Sequence, residues 1–199
     1  MVNNNYFLVH LNSFVNIWIG GWKMEISFIG WVHTILGTAA ILVSIYIIVS
    51  KGFITSNNLI GKFYIIATLI TASTALMLYK NGGFNLAHLL AVFTIIAIIL
   101  GLASEKYDFF GLSRYIQAMS YTGSVLFHLI PGIAEVNKRL PLDSPMGLSV
   151  DDPINIGYYL IFTIACGITI ILQWFFIRKK KLNYYFLSNK SAGHRTKNY

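Results

Sequence analysis

Charged residues divide this chain into five runs that carry none: Ile26–Ser50, Phe63–Tyr79, Asn81–Ser104, Tyr115–Ala134 and Pro153–Ile177. A bilayer core needs about 20 predominantly apolar residues in a helix, and about 17 suffice when flanking side chains snorkel. The shortest run, Phe63–Tyr79, has Lys62 and Lys80 at its ends to do this. Barrel-type alternation is absent, and a helix satisfies its own backbone hydrogen bonds in lipid. The expected fold is therefore all-α. It is a polytopic transmembrane helical bundle over 26–177, with five spanning helices at about 26–50, 63–79, 84–104, 115–133 and 154–177.

Composition agrees, with 56% hydrophobic and 11% charged residues among 199. The net charge of +8 does not point to nucleic acid, because Arg178, Lys179, Lys180, Lys181, Lys190, Arg195 and Lys197 supply seven positive charges in a tail without acids. Such a tail over 178–199 reads as a topology and surface signal, with anionic lipid as its partner. The single cysteine, Cys166, lies in an apolar run and permits no intramolecular disulfide.

The connections are short and rich in turn residues, as in Gly52–Asn58, Asn81-Gly82-Gly83 and Glu105–Gly111, which implies antiparallel neighbours. The stretch from Pro131 to Pro153 is the exception. It holds four prolines with Asp143, Asp151 and Asp152, and is the one candidate for a structured external loop or protein-partner surface. With the tail inside, Lys51, Lys62, Lys106 and Arg114 join it, against Lys23, Lys80, Lys138 and Arg139 outside. The expected protein is a multi-pass protein of the cell membrane with its amino terminus outside and its carboxyl terminus cytoplasmic. The tail alone decides the orientation.

The segment 1–25 is less regular. Tyr6–Trp22 is hydrophobic but broken by His10, Asn12, Ser13 and Asn16. It reads as an interfacial helix or as a sixth, poor span. A third reading makes Met24 the start, since MEISFIGW leads directly into the first run.

Three histidines fall within the runs: His33, His88 and His128. His33 is eight residues from Glu25, His88 eight from Lys80, and His128 seven from Glu135, which puts each about 10–12 Å from the outer boundary. They form one layer. Imidazoles from different helices at one depth suit a haem b or a transition-metal ion, so all three are candidate ligands. The competing reading is that each hydrogen-bonds to a neighbouring helix or to water.

The fourth run carries a polar stripe at Ser113, Gln117, Tyr121, Ser124 and His128, and the second offers Thr68 and Thr71 in a similar register. These mark a face turned away from lipid, for packing or for lining a cavity. No acidic residue lies inside any run, which argues against a transporter built on a buried carboxylate. Phosphate loops, hydrolase triads and HExxH are all absent, so hydrolytic or phosphoryl-transfer chemistry has no visible support.

Several of these features occur together: His33-Thr34-Ile35-Leu36-Gly37, Gly61-Lys62-Phe63-Tyr64, His88, and Phe127-His128. Over about Gly30–Leu140 the chain resembles a widespread bacterial family of multi-helix membrane proteins with a domain of unknown function. That family is itself reminiscent of the haem-bearing bundles of membrane cytochromes b. The resemblance implies histidines at two depths. In this chain Asn57-Asn58 and Tyr115 stand where the inner pair is expected, so one outer haem or metal ion is the most it implies. Three function classes remain: a cofactor-binding membrane protein, a structural or accessory subunit acting through the 131–153 loop, and a small-molecule transporter.

Overall fold

The computed structural model describes residues 28–78, 83–141 and 146–195, with side chains described up to 179. The amino-terminal segment, and with it the interfacial-helix, sixth-span and Met24 readings, lies outside the described residues. Five helices account for almost all the rest: α1 (Phe28–Lys51), α2 (Leu59–Ala75), α3 (Leu86–Lys106), α4 (Ser113–Arg139) and α5 (Pro153–Arg195).

The charge-bounded runs locate these helices but not their ends. α2 begins four residues before Phe63, because the Asn58 side chain caps it by accepting from Gly61 N at 2.9 Å, leaving Lys62 in the first turn. α4 continues through Pro131 to Arg139, so the expected 131–153 loop shortens to the connection between Leu140 and Asp152. Pro131 removes one backbone donor without ending the helix. α5 starts on an Asp152 cap, whose Oδ1 accepts from Ile154 N at 2.9 Å, followed by proline at the first helical position. It then runs 43 residues, straight through the basic cluster into the tail.

Three of the five helices are long and apolar enough to cross a membrane: α1, α3, and α5 as far as Lys179. α2, at 17 residues, is a shorter apolar helix. α4 is interrupted by the polar stripe. Helices α1 to α4 pack in a closed ring, each against the next and α4 against α1, while α5 packs on α4 alone.

The pattern of exposure is compatible with a membrane protein. Ile35, Leu42, Val49, Ile66, Ile99, Leu160 and Phe175 point outward, while Ser44, Thr68, Thr71, Thr94, Ser104 and Ser124 are buried. Small and hydroxyl side chains let helices approach closely where there is no hydrophobic drive to bring them together. Ala40, Ile47, Tyr64, Ala67, Ile98, Tyr121 and Val125 fill the centre. Gly101 gives Tyr121 its place, since a Cβ there would stand 2.7 Å from the ring's Cζ.

Polar contacts fasten α5 to α4 at three levels. Thr122 Oγ1 donates to Gln173 Oε1 at 3.0 Å, the Cys166 thiol donates to Thr122 O at 3.3 Å, and Asn137 Nδ2 donates to Asn155 Oδ1 at 2.7 Å. Gln173 also donates to Gly52 O at 2.7 Å, tying α5 to the α1–α2 connection.

Candidate functional site

The bundle has two polar ends and a hydroxyl-lined interior between them. At the end formed by the start of α1 and the end of α2, His33 Nδ1 donates to Thr71 O at 3.0 Å, with Thr74 Oγ1 at 3.3 Å. Thr71 Oγ1 donates to Ala67 O at 2.8 Å, and the imidazole shares Thr71 O with the Thr74 hydroxyl, which donates to it at 2.9 Å. Gly37, one turn further along α1, allows this approach: a Cβ there would lie 3.0 Å from Thr71 Cγ2.

On α4, His128 Nδ1 donates to Ser124 O at 3.3 Å. This helix packs against α1, the helix that carries His33. Both rings are half-buried. In each, the hydrogen on Nδ1 goes to a backbone carbonyl, which leaves the lone pair on Nε2.

His88 is placed differently. Asn85 caps α3 by accepting from Ala87 N at 2.9 Å and His88 N at 3.3 Å. The His88 ring closes the capping box, with Nδ1 2.9 Å from Asn85 Oδ1 and 3.3 Å from Asn85 N. It is buried and lies against Phe84, with ring centroids 5.4 Å apart. Among the described residues no three His, Cys, Asp or Glu side chains come together as a metal-binding group. His33 and His128 thus stand on two helices that pack together, each bonded to a backbone carbonyl, while His88 caps α3.

The α4 stripe and the α2 hydroxyls line the interior. Tyr121, Ser124, Thr68 and Thr71 are all buried. Ser124 Oγ donates to Tyr121 O at 2.7 Å, so the Tyr64 hydroxyl donates to Ser124 Oγ, also at 2.7 Å. The Thr68 and Tyr121 hydroxyl oxygens are buried there without a hydrogen-bond partner among the described residues.

At the opposite end the structure assembles a cluster around Glu105, the carboxylate at the end of α3. Its oxygens accept from Ser56 N at 2.9 and 3.1 Å, from Ser56 Oγ, and from Gln117 Nε2 at 3.1 Å. Gln117 also donates to Ile54 O at 2.9 Å. Reading Glu105 only as the charge that ends a run hides this role. The available signal was its spacing, four residues after Gly101 and seven after Ile98, on the buried face of α3.

No protein-family model, curated protein or solved structure matches this chain. The class defined here is an all-helical bundle with three helices able to cross a membrane. Function has to be argued from its residues alone.

Proposed function

We propose that the chain is a five-span protein of the cell membrane, amino terminus outside and carboxyl terminus cytoplasmic, that binds one transition-metal centre through Nε2 of His33 and His128. The centre is a bare ion or the iron of haem b. The observation that carries this is the shared state of the two imidazoles. Each gives Nδ1–H to a backbone carbonyl, and each stands on one of two facing helices. That is the outer-shell arrangement that orients a ligating histidine and raises its basicity. His88 is left to its cap. α2 and α4 are read as spans because the closed ring sets them among the apolar helices and turns their polar residues inward.

Protein purified in detergent and shown to be folded should retain one equivalent of metal, with a Soret band if the centre is haem. His33→Ala or His128→Ala should cut occupancy at least tenfold, while His88→Ala leaves it unchanged. Retention of neither metal nor haem, in wild-type protein reconstituted with each, sinks the binding reading.

The span reading has its own test, in a Cys166→Ala background. A membrane-impermeant maleimide applied to whole cells should label Gly83→Cys, in the α2–α3 connection where a Cβ meets nothing within 4 Å, and should label Asn57→Cys only after permeabilisation. Equal labelling of the two would mean that α2 does not cross the membrane.

The 140–152 connection supports a second reading, as an accessory subunit. It exposes Leu140, Met146 and Val150, and its end is pinned by Asn155 Nδ2 donating to Ser149 O at 2.7 Å. Deleting it would abolish a partner-dependent activity that the His33/His128 double alanine variant leaves intact.

A further inference from the structure

A groove of about 510 Å³ opens beside the Glu105 end of the bundle, between the α3–α4 connection and α5. Phe110, Leu112, Tyr115, Ile171, Trp174 and Phe175 make its walls, and Arg178 stands at its edge. Tyr115 and Trp174 meet edge to face, with centroids 5.6 Å apart, and fix the floor. Arg178 is the first charge after the apolar run of α5, so the groove lies where hydrocarbon gives way to headgroups.

Bases outnumber acids around it. Both acids nearby are turned to internal bonds: Glu105 is held by Ser56 and Gln117, and Asp108 Oδ1 accepts from Gly111 N at 3.0 Å and lies 3.3 Å from Ser113 Oγ. The bases Lys106, Arg114, Arg178 and Lys179 are exposed. Phe110 is held at φ 53°, a left-handed conformation unfavourable for a bulky side chain, and is fully exposed. Strain of this kind persists only where surrounding structure imposes it. Here the Asp108 turn and Gly111 at φ 75° impose it, and they set an aromatic side chain at the rim of the groove.

We infer that this groove is a binding site for one anionic phospholipid, with its phosphate on the Arg178 guanidinium and an acyl chain along Leu112, Ile171 and Phe175. A guanidinium offers a planar fork for phosphate oxygens, and aromatic walls suit the glycerol and upper acyl region. The inference rests on the membrane reading, but not on which leaflet the groove faces.

Native mass spectrometry of the full chain, titrated with dioleoylphosphatidylglycerol or dioleoylphosphatidylcholine, tests it. Wild-type protein should keep one phosphatidylglycerol about tenfold more tightly than phosphatidylcholine. Arg178→Gln should remove the preference, and Lys62→Gln, at the same end but away from the groove, should preserve it. Equal retention of the two lipids overturns the proposal. So does a preference lost equally in both variants, which would make it a diffuse surface effect, or a co-purifying polypeptide in place of lipid. Unchanged thermal unfolding of Arg178→Gln separates loss of the site from loss of the fold. Failure of the membrane reading would appear independently, as a chain that stays soluble without detergent.

Discussion

Gly61→Ala is expected to destabilise the bundle by about 3 kcal/mol, the upper part of the range for forcing a group into filled space. The glycine sits in the first turn of α2 directly beneath the preceding connection. An added Cβ would overlap Thr55 O and stand 2.9 Å from Thr55 C. Those are backbone atoms, so no rotamer change relieves the overlap. Thr55 cannot retreat, since Ile54 beside it is buried and Ser56 is bonded to Glu105. Thermal unfolding followed by detergent size-exclusion chromatography gives the readout, with Gly157→Ala as control, because a Cβ at that position meets nothing within 4 Å. Equal midpoints for the two variants would remove the α1–α2 connection from the account of stability.

Glu105→Ala should cost about as much, roughly 2–4 kcal/mol, by a different route: it leaves Ser56 N and Ser56 Oγ without their acceptor and takes from Gln117 Nε2 one of its two. Donors stranded in a half-buried site cost more than the net worth of the bonds they made. Glu105→Gln keeps one acceptor oxygen and should lose less than half as much. A carboxamide as damaging as alanine would mean that the charge itself, and not the acceptor geometry, holds the connection. Unfolding midpoints of the three proteins decide between these outcomes.

Much of the fold was legible in the sequence because lipid forbids most alternatives. A run such as Ile26–Ser50, with no charge and no strand alternation, has little choice but to be a helix, and α1 falls within two residues of it. Helix ends were less legible, because a charge marks where hydrocarbon stops and not where a helix stops. Lys62 lies inside α2, and the Arg178–Lys181 cluster lies inside α5. The local partners of the histidines were not legible. His33 and His128 stand on α1 and α4, which pack together, and each bonds a backbone carbonyl. His88 sits three residues after an asparagine that uses it to cap α3. The Asn85-x-x-His88 spacing was visible in the sequence, but it became informative only once α3 was known to begin at Leu86. Glu105 escaped because its partner, Ser56, is 49 residues away, and nothing local announces that pairing.

The order of the helices along the chain bears on how such a protein enters a membrane. Under the five-span reading, the three that are long and apolar enough to partition by themselves, α1, α3 and α5, alternate with two that are not. Short α2 follows a strongly inserting helix, and polar-striped α4 lies between two of them. As the chain emerges, each weak segment is drawn in only when a strong neighbour on either side has committed, much as a stitch is set by the one after it. The connection bearing Ser56 must then remain unclamped until the last residues of α3 bring Glu105 to it. Gln117 and Gln173 come later in the chain still, so under that reading this polar joint is completed only after α3 is in place.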